Sequence, residues 1–153
     1  MSRIGVFIDA LQRSISTTFQ ERISSYVKGL SDIVFCAEEQ NLTSPEGLNR
    51  MAKRLEAGGV DHIIIIGGSP RLYETSFQKW GYPLPLNPYL FAVVNAREQI
   101  LWSMGDEEGA FEKAKAMIAK GIRIAAVSRP IEAQSLPLEP EVLVLGGGIA
   151  GIS

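Results

Sequence analysis

The chain has 153 residues, of which 46% are hydrophobic and 21% are charged, and its formal net charge at pH 7 is −2. This composition fits one globular domain, and the net charge argues against a nucleic-acid partner, which would favour a basic patch. We expect neither a membrane span nor a signal peptide, because the chain has no long apolar run and no signal-peptide pattern. Cys36 is the single cysteine. With no disulfide partner in the chain, we expect a cytoplasmic protein.

Four short apolar runs predict β-strands, at residues 3–8, 33–37, 62–66 and 89–94. The third contains four consecutive isoleucines, which is typical of a strand buried on both faces of a sheet. Between and after the strands, apolar residues recur at helical spacing and predict helices near residues 17–30, 45–58, 70–80, 97–103 and 106–127. Gly121 is a weak point within the last of these helices.

Strands that alternate with helices favour one architecture. It is a Rossmann-like or flavodoxin-like α/β fold with an open, mainly parallel sheet of four strands, helices on both faces and an extended C-terminal tail. We expect an α/β domain over residues 1–128, a proline-containing linker over 129–141 and the start of a further domain over 142–153.

Two helix starts have recognisable capping residues. Ser16 or Thr17 is the expected N-cap of the first helix. The second helix begins either with Ser44 as N-cap and Pro45 at the first helical position, or with a capping box between Thr43 and the glutamate three residues later.

The C-terminal residues contain a dinucleotide-binding pattern. An apolar strand over 142–145 is followed by Gly146, Gly148 and Gly151 in the spacing GxGxxG. The first glycine permits a tight turn, the second lets the backbone approach a pyrophosphate, and the third allows close helix packing. The pattern predicts an FAD site in an intact parent protein. We expect no dinucleotide binding by this chain alone, because the required helix would lie beyond Ser153.

Segments spread along the chain carry a family resemblance: Ile4-Gly5-Val6-Phe7-Ile8, Gly68-Ser69-Pro70-Arg71, Asn87-Pro88-Tyr89-Leu90-Phe91, Asn95-Ala96-Arg97-Glu98-Gln99, Trp102 and the final glycine motif. Together they resemble the N-terminal domain of HdrA, the flavin-containing component of heterodisulfide reductases. That family consists of flavin- and iron–sulfur-containing electron-transfer proteins of anaerobes. The resemblance implies a flavin-dependent oxidoreductase as parent, with other reductase subunits or the parent's flavin domain as partners.

The chain departs from that family at its cluster ligands. At five positions where the family has cysteine, this sequence has Asp9, Leu11, Thr43, Gly68 and Ile100. Iron–sulfur clusters are held by cysteine thiolates, and Cys36 lies outside the pattern. We therefore predict that this domain holds no iron–sulfur cluster and no metal ion, and that it keeps the scaffold as a docking and shielding module.

A second hypothesis is a binding site at the carboxyl ends of the strands. Asp9, Thr43, Gly68, Ser69 and Arg71 would border this edge, either as a vestigial cluster pocket or as an anion pocket. The alternative interpretation of residues 67–71 is an ordinary turn with Ser69 as helix cap.

No catalytic residue is predicted, because the one histidine, His62, lies in no motif. The chain alone is therefore not expected to be an enzyme. Besides the accessory electron-transfer domain, two alternatives stay open. One is a regulatory α/β domain that binds an anion or a nucleotide. The other is an interaction protein or homodimer that uses aromatic residues such as Trp80 and Trp102 at an interface.

Overall fold

One parallel sheet organises the protein. The computed structural model describes residues 3–9, 16–79, 84–87, 89–132, 134, 136–137 and 145–149. The strands, in chain order, are β1 (Ile4–Asp9), β2 (Ile33–Glu39), β3 (His62–Gly67) and β4 (Phe91–Asn95). They pair in the order β2-β1-β3-β4, and every pairing is parallel. The predicted open, four-stranded α/β sheet is confirmed.

Helices cover both faces of the sheet, also as predicted. They are α1 (Thr17–Lys28), α2 (Pro45–Gly58), α3 (Pro70–Lys79) and α4 (Glu107–Val127). Helices α1 and α4 contribute buried residues to the core on one face, and α2 and α3 to the core on the other. None of the helices in the described ranges combines the length and apolarity needed to cross a membrane.

The isoleucine run of β3 belongs to both cores. Ile64 and Ile66 pack with α1 and α4, whereas Ile63 and Ile65 pack with α2 and α3. All four are almost fully buried. Because full burial of one such side chain contributes roughly 1.5–3 kcal/mol, this strand is a main source of stability.

The observed N-cap decides between the two predicted starts of the second helix. The Ser44 hydroxyl accepts a hydrogen bond from the Gly47 backbone N–H at 3.0 Å, with Pro45 in the first turn. The capping box that begins at Thr43 was therefore the wrong alternative. Ser16 caps α1 by accepting from the Phe19 N–H at 3.1 Å.

Most elements match their predicted bounds to within two residues, but two differ in a way that local hydrogen bonds explain. The strand expected from residue 89 begins at Phe91, because Asn87 forms a turn in which its side chain accepts from the Tyr89 N–H at 3.1 Å. The short helix expected over 97–103 is a single π-helical turn, Arg97–Leu101, which the Trp102 N–H closes on the Arg97 carbonyl at 3.0 Å. Local hydrogen bonds thus override the apolar pattern at both places.

Gly121 has a packing role that the sequence did not indicate. A Cβ at this position would lie 3.3 Å from the nearest side-chain carbon of Val94. The glycine therefore lets α4 approach β4 closely, which offsets its low helix propensity. The predicted linker and start of a second domain stay predictions. Residues 80–83, 133, 135, 138–144 and 150–153, which include Trp80 and much of the predicted last strand, lie outside the described residues.

Candidate functional site

The carboxyl ends of the four strands meet at one edge of the sheet. The register pairs Asp9 with Glu39 on β2, and Gly67 with Asn95 on β4. The chain leaves β1 for β2 on one side and returns to β3 on the other. The carboxyl ends of β1 and β3 therefore lie at the point where the strand order reverses, which is where open α/β sheets usually bind ligands.

A hydrogen-bonded tyrosine fills the space between these two strand ends. The Tyr73 hydroxyl, from α3, donates to the Asp9 Oδ2 atom at 2.8 Å and accepts from the Gly68 backbone N–H at 3.0 Å. The absence of a side chain at Gly67 makes room for it, because a Cβ there would overlap the Tyr73 hydroxyl. Tyr73 is fully buried and Asp9 nearly so.

Burial dominates the electrostatics of Asp9. Loss of solvent raises the pKa of its carboxyl group above the ordinary value of 3.8. Four partners oppose this rise: the Tyr73 hydroxyl, hydrogen bonding from the backbone of Leu42 and Asn41, and the positive charge of Arg97. The carboxyl group therefore interacts with groups from three other segments of the chain.

Tyr73 stays protonated at neutral pH. Burial and the nearby Asp9 carboxylate both raise the pKa of its phenol well above the ordinary value. The hydroxyl is therefore a permanent donor to Asp9. A phenol that gives its proton to a carboxylate and takes a backbone N–H has used its main hydrogen-bonding capacity. The arrangement is suited to holding segments together rather than to acid–base chemistry.

The structure brings some of the predicted site residues together. Asp9 and Gly68 meet through Tyr73, and Thr43 is half-buried directly after Leu42. Arg71 is exposed on the first turn of α3. The Ser69 hydroxyl makes no hydrogen bond to another described residue, unlike the capping serines of α1 and α2.

The remaining candidates do not join this group. Ile100 is fully buried in the core with α1 and α4, and Leu11 lies outside the described residues. His62, at the amino end of β3, has its Nε2 atom 3.3 Å from the Ser128 carbonyl oxygen. Cys36 is half-buried, and burial raises the pKa of its thiol. Within the described ranges, no three histidine, cysteine or acidic side chains are placed to hold a metal ion.

Sequence reasoning missed Tyr73 as a site residue and also missed Arg97. The Arg97 charge acts on both Asp9 and Tyr73, and its Nε atom is buried without a hydrogen-bond partner. One sequence signal was present. A glycine at the end of a buried strand, with a tyrosine six residues later in the next helix, leaves a gap that a phenol can enter.

The C-terminal glycine motif is described only in part. Gly146 has a φ of 109°, a backbone conformation that favours glycine, which fits the tight turn expected of the first motif position. Gly148 is exposed and has open space where a Cβ would be. Gly151 lies outside the described residues.

These features define a class: an α/β domain with an open parallel sheet, in which a buried tyrosine–aspartate pair fills the space between the carboxyl ends of two strands. No family model matches the chain. It is similar over 98% of its length to the HdrA proteins of heterodisulfide reductases. Identity is 32% to the HdrA protein of the H(2):CoB-CoM heterodisulfide,ferredoxin reductase of Methanothermobacter thermautotrophicus. It is 34% to that of the ferredoxin:CoB-CoM heterodisulfide reductase of Methanosarcina mazei.

A third relative is an HdrA-like protein of Archaeoglobus profundus, at 31% identity over the same share of this chain. The chain spans 23%, 19% and 22% of these three relatives, respectively. It is thus homologous to one segment of much longer proteins. The chain is an HdrA-like domain, similar in sequence to one segment of these longer proteins, which confirms the resemblance found in its sequence.

Proposed function

We propose that this chain is an accessory docking and shielding domain of a cytoplasmic, flavin-dependent oxidoreductase of the HdrA type. It would contact the parent's flavin domain or other reductase subunits and would hold no iron–sulfur cluster. The relatives' names support the electron-transfer setting, because each names a component of a reductase. The whole protein's activity belongs to this proposal, since the chain spans only about a fifth of each relative.

One observation carries the proposed loss of the cluster. Two positions at which the family resemblance places cysteines, Asp9 and Gly68, are joined by the Tyr73 hydroxyl at 2.8 and 3.0 Å. A phenol therefore lies where ligands from these two positions would converge. Among the described residues, the polar groups that contact its hydroxyl are a carboxylate oxygen and a backbone nitrogen, whereas iron–sulfur clusters take thiolates. Neither the space nor the donor set fits a cluster.

The test is an assay of iron and acid-labile sulfide on protein purified without oxygen. We expect iron and sulfide far below one cluster per chain, and stoichiometric amounts of both would refute the proposal.

A pair of variants sharpens this assay. The first restores cysteine at residues 9, 11, 43, 68 and 100, and the second also carries Tyr73→Ala. Because the phenol fills the space, reconstitution with iron and sulfide should succeed only when Tyr73 is shortened. Cluster formation in the variant that keeps Tyr73 would contradict the steric argument.

The proposed FAD site begins at Gly146 and continues through Gly148 and Gly151. In this role the glycine backbone would approach the pyrophosphate, while FAD would supply the redox chemistry. The positive φ of Gly146 supports the turn. A longer polypeptide that extends past Ser153 should purify as a yellow protein, and substitution of Gly148 by a bulky residue should remove the colour. A colourless longer protein would argue against the flavin assignment.

Exposed aromatic side chains support the docking role. Trp102 is 68% exposed and Tyr89 57% exposed, and aromatic residues are enriched at protein interfaces. Trp102→Ser should weaken association of this domain with its separately expressed partner, without lowering the melting temperature of the domain. Sedimentation of the domain alone across a range of concentrations would test the homodimer alternative.

The alternative of an anion-binding regulatory domain stays a prediction with one supporting observation. The Ser69 hydroxyl, at the start of α3, is not used in a hydrogen bond among the described residues, and Arg71 beside it is exposed. A rise in melting temperature with added phosphate or nucleotide, absent in Arg71→Ala, would favour this function over docking.

A further inference from the structure

The carboxyl-edge loops converge on one side chain. Asp9 lies at the end of β1 and interacts with the loop between β2 and α2 through Asn41 and Leu42. Through Tyr73 it is linked to Gly68, in the turn between β3 and α3. These partners lie far from Asp9 in sequence, so the carboxylate connects loops that are not neighbours along the chain.

The β2–α2 loop is shaped to hold an anion of this kind. Asn41 has a φ of 52°, the left-handed conformation that is uncommon outside glycine. Successive backbone N–H groups beside a left-handed residue form a concavity that binds anions. The backbone of Asn41 and Leu42 lowers the pKa of the Asp9 carboxyl group, as such a concavity would. The group that this loop acts on is therefore a buried acid of the chain itself.

The segments that reach Asp9 are also those in which the resemblance places cysteines. Asp9 and Gly68 are two such positions, and Thr43 directly follows Leu42. Arg97, whose charge acts on Asp9, precedes the fifth such position, Ile100, by three residues. A cluster bound at these positions would cross-link the same loops that the carboxylate now connects.

We propose that the Asp9 carboxylate, with Tyr73, is a metal-free cross-link that holds the carboxyl-edge loops in place of a cluster. The proposal rests on the proposed function, because it assumes that the domain holds no cluster. It assigns Asp9 a positioning role: one buried anion joins the end of β1, the β2–α2 loop and the β3–α3 turn. The surface formed by these loops is then preformed without any cofactor.

Amide hydrogen exchange of the purified domain tests the cross-link residue by residue. In Asp9→Ala, we expect the amides of Asn41, Leu42 and Gly68 to exchange about tenfold faster together, as loss of a buried hydrogen bond implies. In Tyr73→Phe, the Gly68 amide should exchange faster while those of Asn41 and Leu42 stay slow. This split distinguishes a specific cross-link from general loosening.

Asp61→Ala is the matched control, because Asp61 is an acid at the opposite edge of the sheet that accepts from the Arg3 N–H at 3.2 Å. It should leave all three reporter amides unchanged. Unchanged exchange in Asp9→Ala, or equal acceleration throughout β1 and β3, would overturn the cross-link. Should Asp9→Ala not fold, Asp9→Asn is measured with the same readout. Iron in the wild-type protein would instead overturn the proposed function, so the two failures are distinguishable.

Discussion

At the amino edge and at the carboxyl edge of the sheet, polar groups of different exposure connect distant segments of the chain. At the amino edge, the exposed Arg3 side chain donates to the Gly59 carbonyl at 2.6 Å and to the Gly58 carbonyl at 3.3 Å, and its backbone N–H reaches Asp61. At the carboxyl edge, the contacts of Asp9 and Tyr73 are buried. Both edges connect distant segments through polar groups.

The two edges differ in whether water can replace a polar contact that is broken. An exposed polar contact that is broken is restored by solvent, so its net contribution to stability is small. A buried donor or acceptor that loses its partner bears the full cost of its lost hydration. The carboxyl edge should therefore be sensitive to single substitutions and the amino edge tolerant of them. Because its contacts are costly to break, the carboxyl edge is suited to hold its loops in one fixed arrangement.

The largest expected effect is that of Asp9→Ala. It removes the acceptor of the Tyr73 hydroxyl and of the backbone groups of Asn41 and Leu42. We expect a loss of about 3 kcal/mol in the free energy of unfolding, because the buried Tyr73 hydroxyl loses its acceptor and the β2–α2 loop loses the carboxyl group that it acts on. Urea denaturation at neutral pH measures it. A loss no larger than that of a surface substitution would remove the contrast between the edges.

Tyr73→Phe should have the next largest effect. The ring and its packing against Phe77 are kept, but the Asp9 carboxylate loses a donor and the Gly68 N–H loses its acceptor. We expect a loss of about 2 kcal/mol, again by urea denaturation. Tyr26→Phe, on the half-buried outer side of α1, is the matched control and should cost much less. Equal effects of the two variants would contradict the assignment.

Ionisation of Asp9 should contribute to the pH dependence of the free energy of unfolding. Burial raises the pKa of its carboxyl group in the folded state above the ordinary 3.8. Its contribution to stability is therefore fully present below that value and is lost as the pH rises through the folded-state pKa. Relative to Asp9→Asn, which cannot titrate, the wild-type protein should lose stability as the pH rises above 3.8. A relative gain over this range would mean that the pKa is lowered instead.

The smallest effect is expected at the amino edge. Asp61→Ala removes an exposed acceptor of the Arg3 N–H, and water can take its place. The free energy of unfolding should fall by less than about 1 kcal/mol. A thermal melt beside Asp9→Ala in the same buffer makes the comparison direct. A larger loss would show that exposure does not separate the two edges.

Much of the fold was predictable because it follows from local patterns. The isoleucines of β3, the Ser44–Pro45 helix start and the alternation of strands with helices each depend on neighbouring residues. The π-helical turn at Arg97–Leu101 was not predicted, because an apolar pattern does not distinguish it from an α-helical turn. The Asn95 side chain, which accepts from the Glu98 N–H at 3.1 Å, holds the start of this turn.

The site was predicted only in outline. The position of Asp9 at the carboxyl edge of the sheet was predicted, but its contact with Tyr73, which spans 64 residues, was not. It depends on the register that pairs Ile8 with Ile66, and so sets Asp9 beside Gly67. No pattern in the sequence encodes that register, because either face of an isoleucine run can be buried.

Gly67 gives this arrangement a further consequence. The phenol occupies the volume that any side chain at residue 67 would need. A single methyl group there would displace the Tyr73 hydroxyl from Asp9 and open the space between the carboxyl ends of β1 and β3. Whether this space is filled or open thus depends on one carbon atom. A single nucleotide substitution can add that atom by changing Gly67 to alanine.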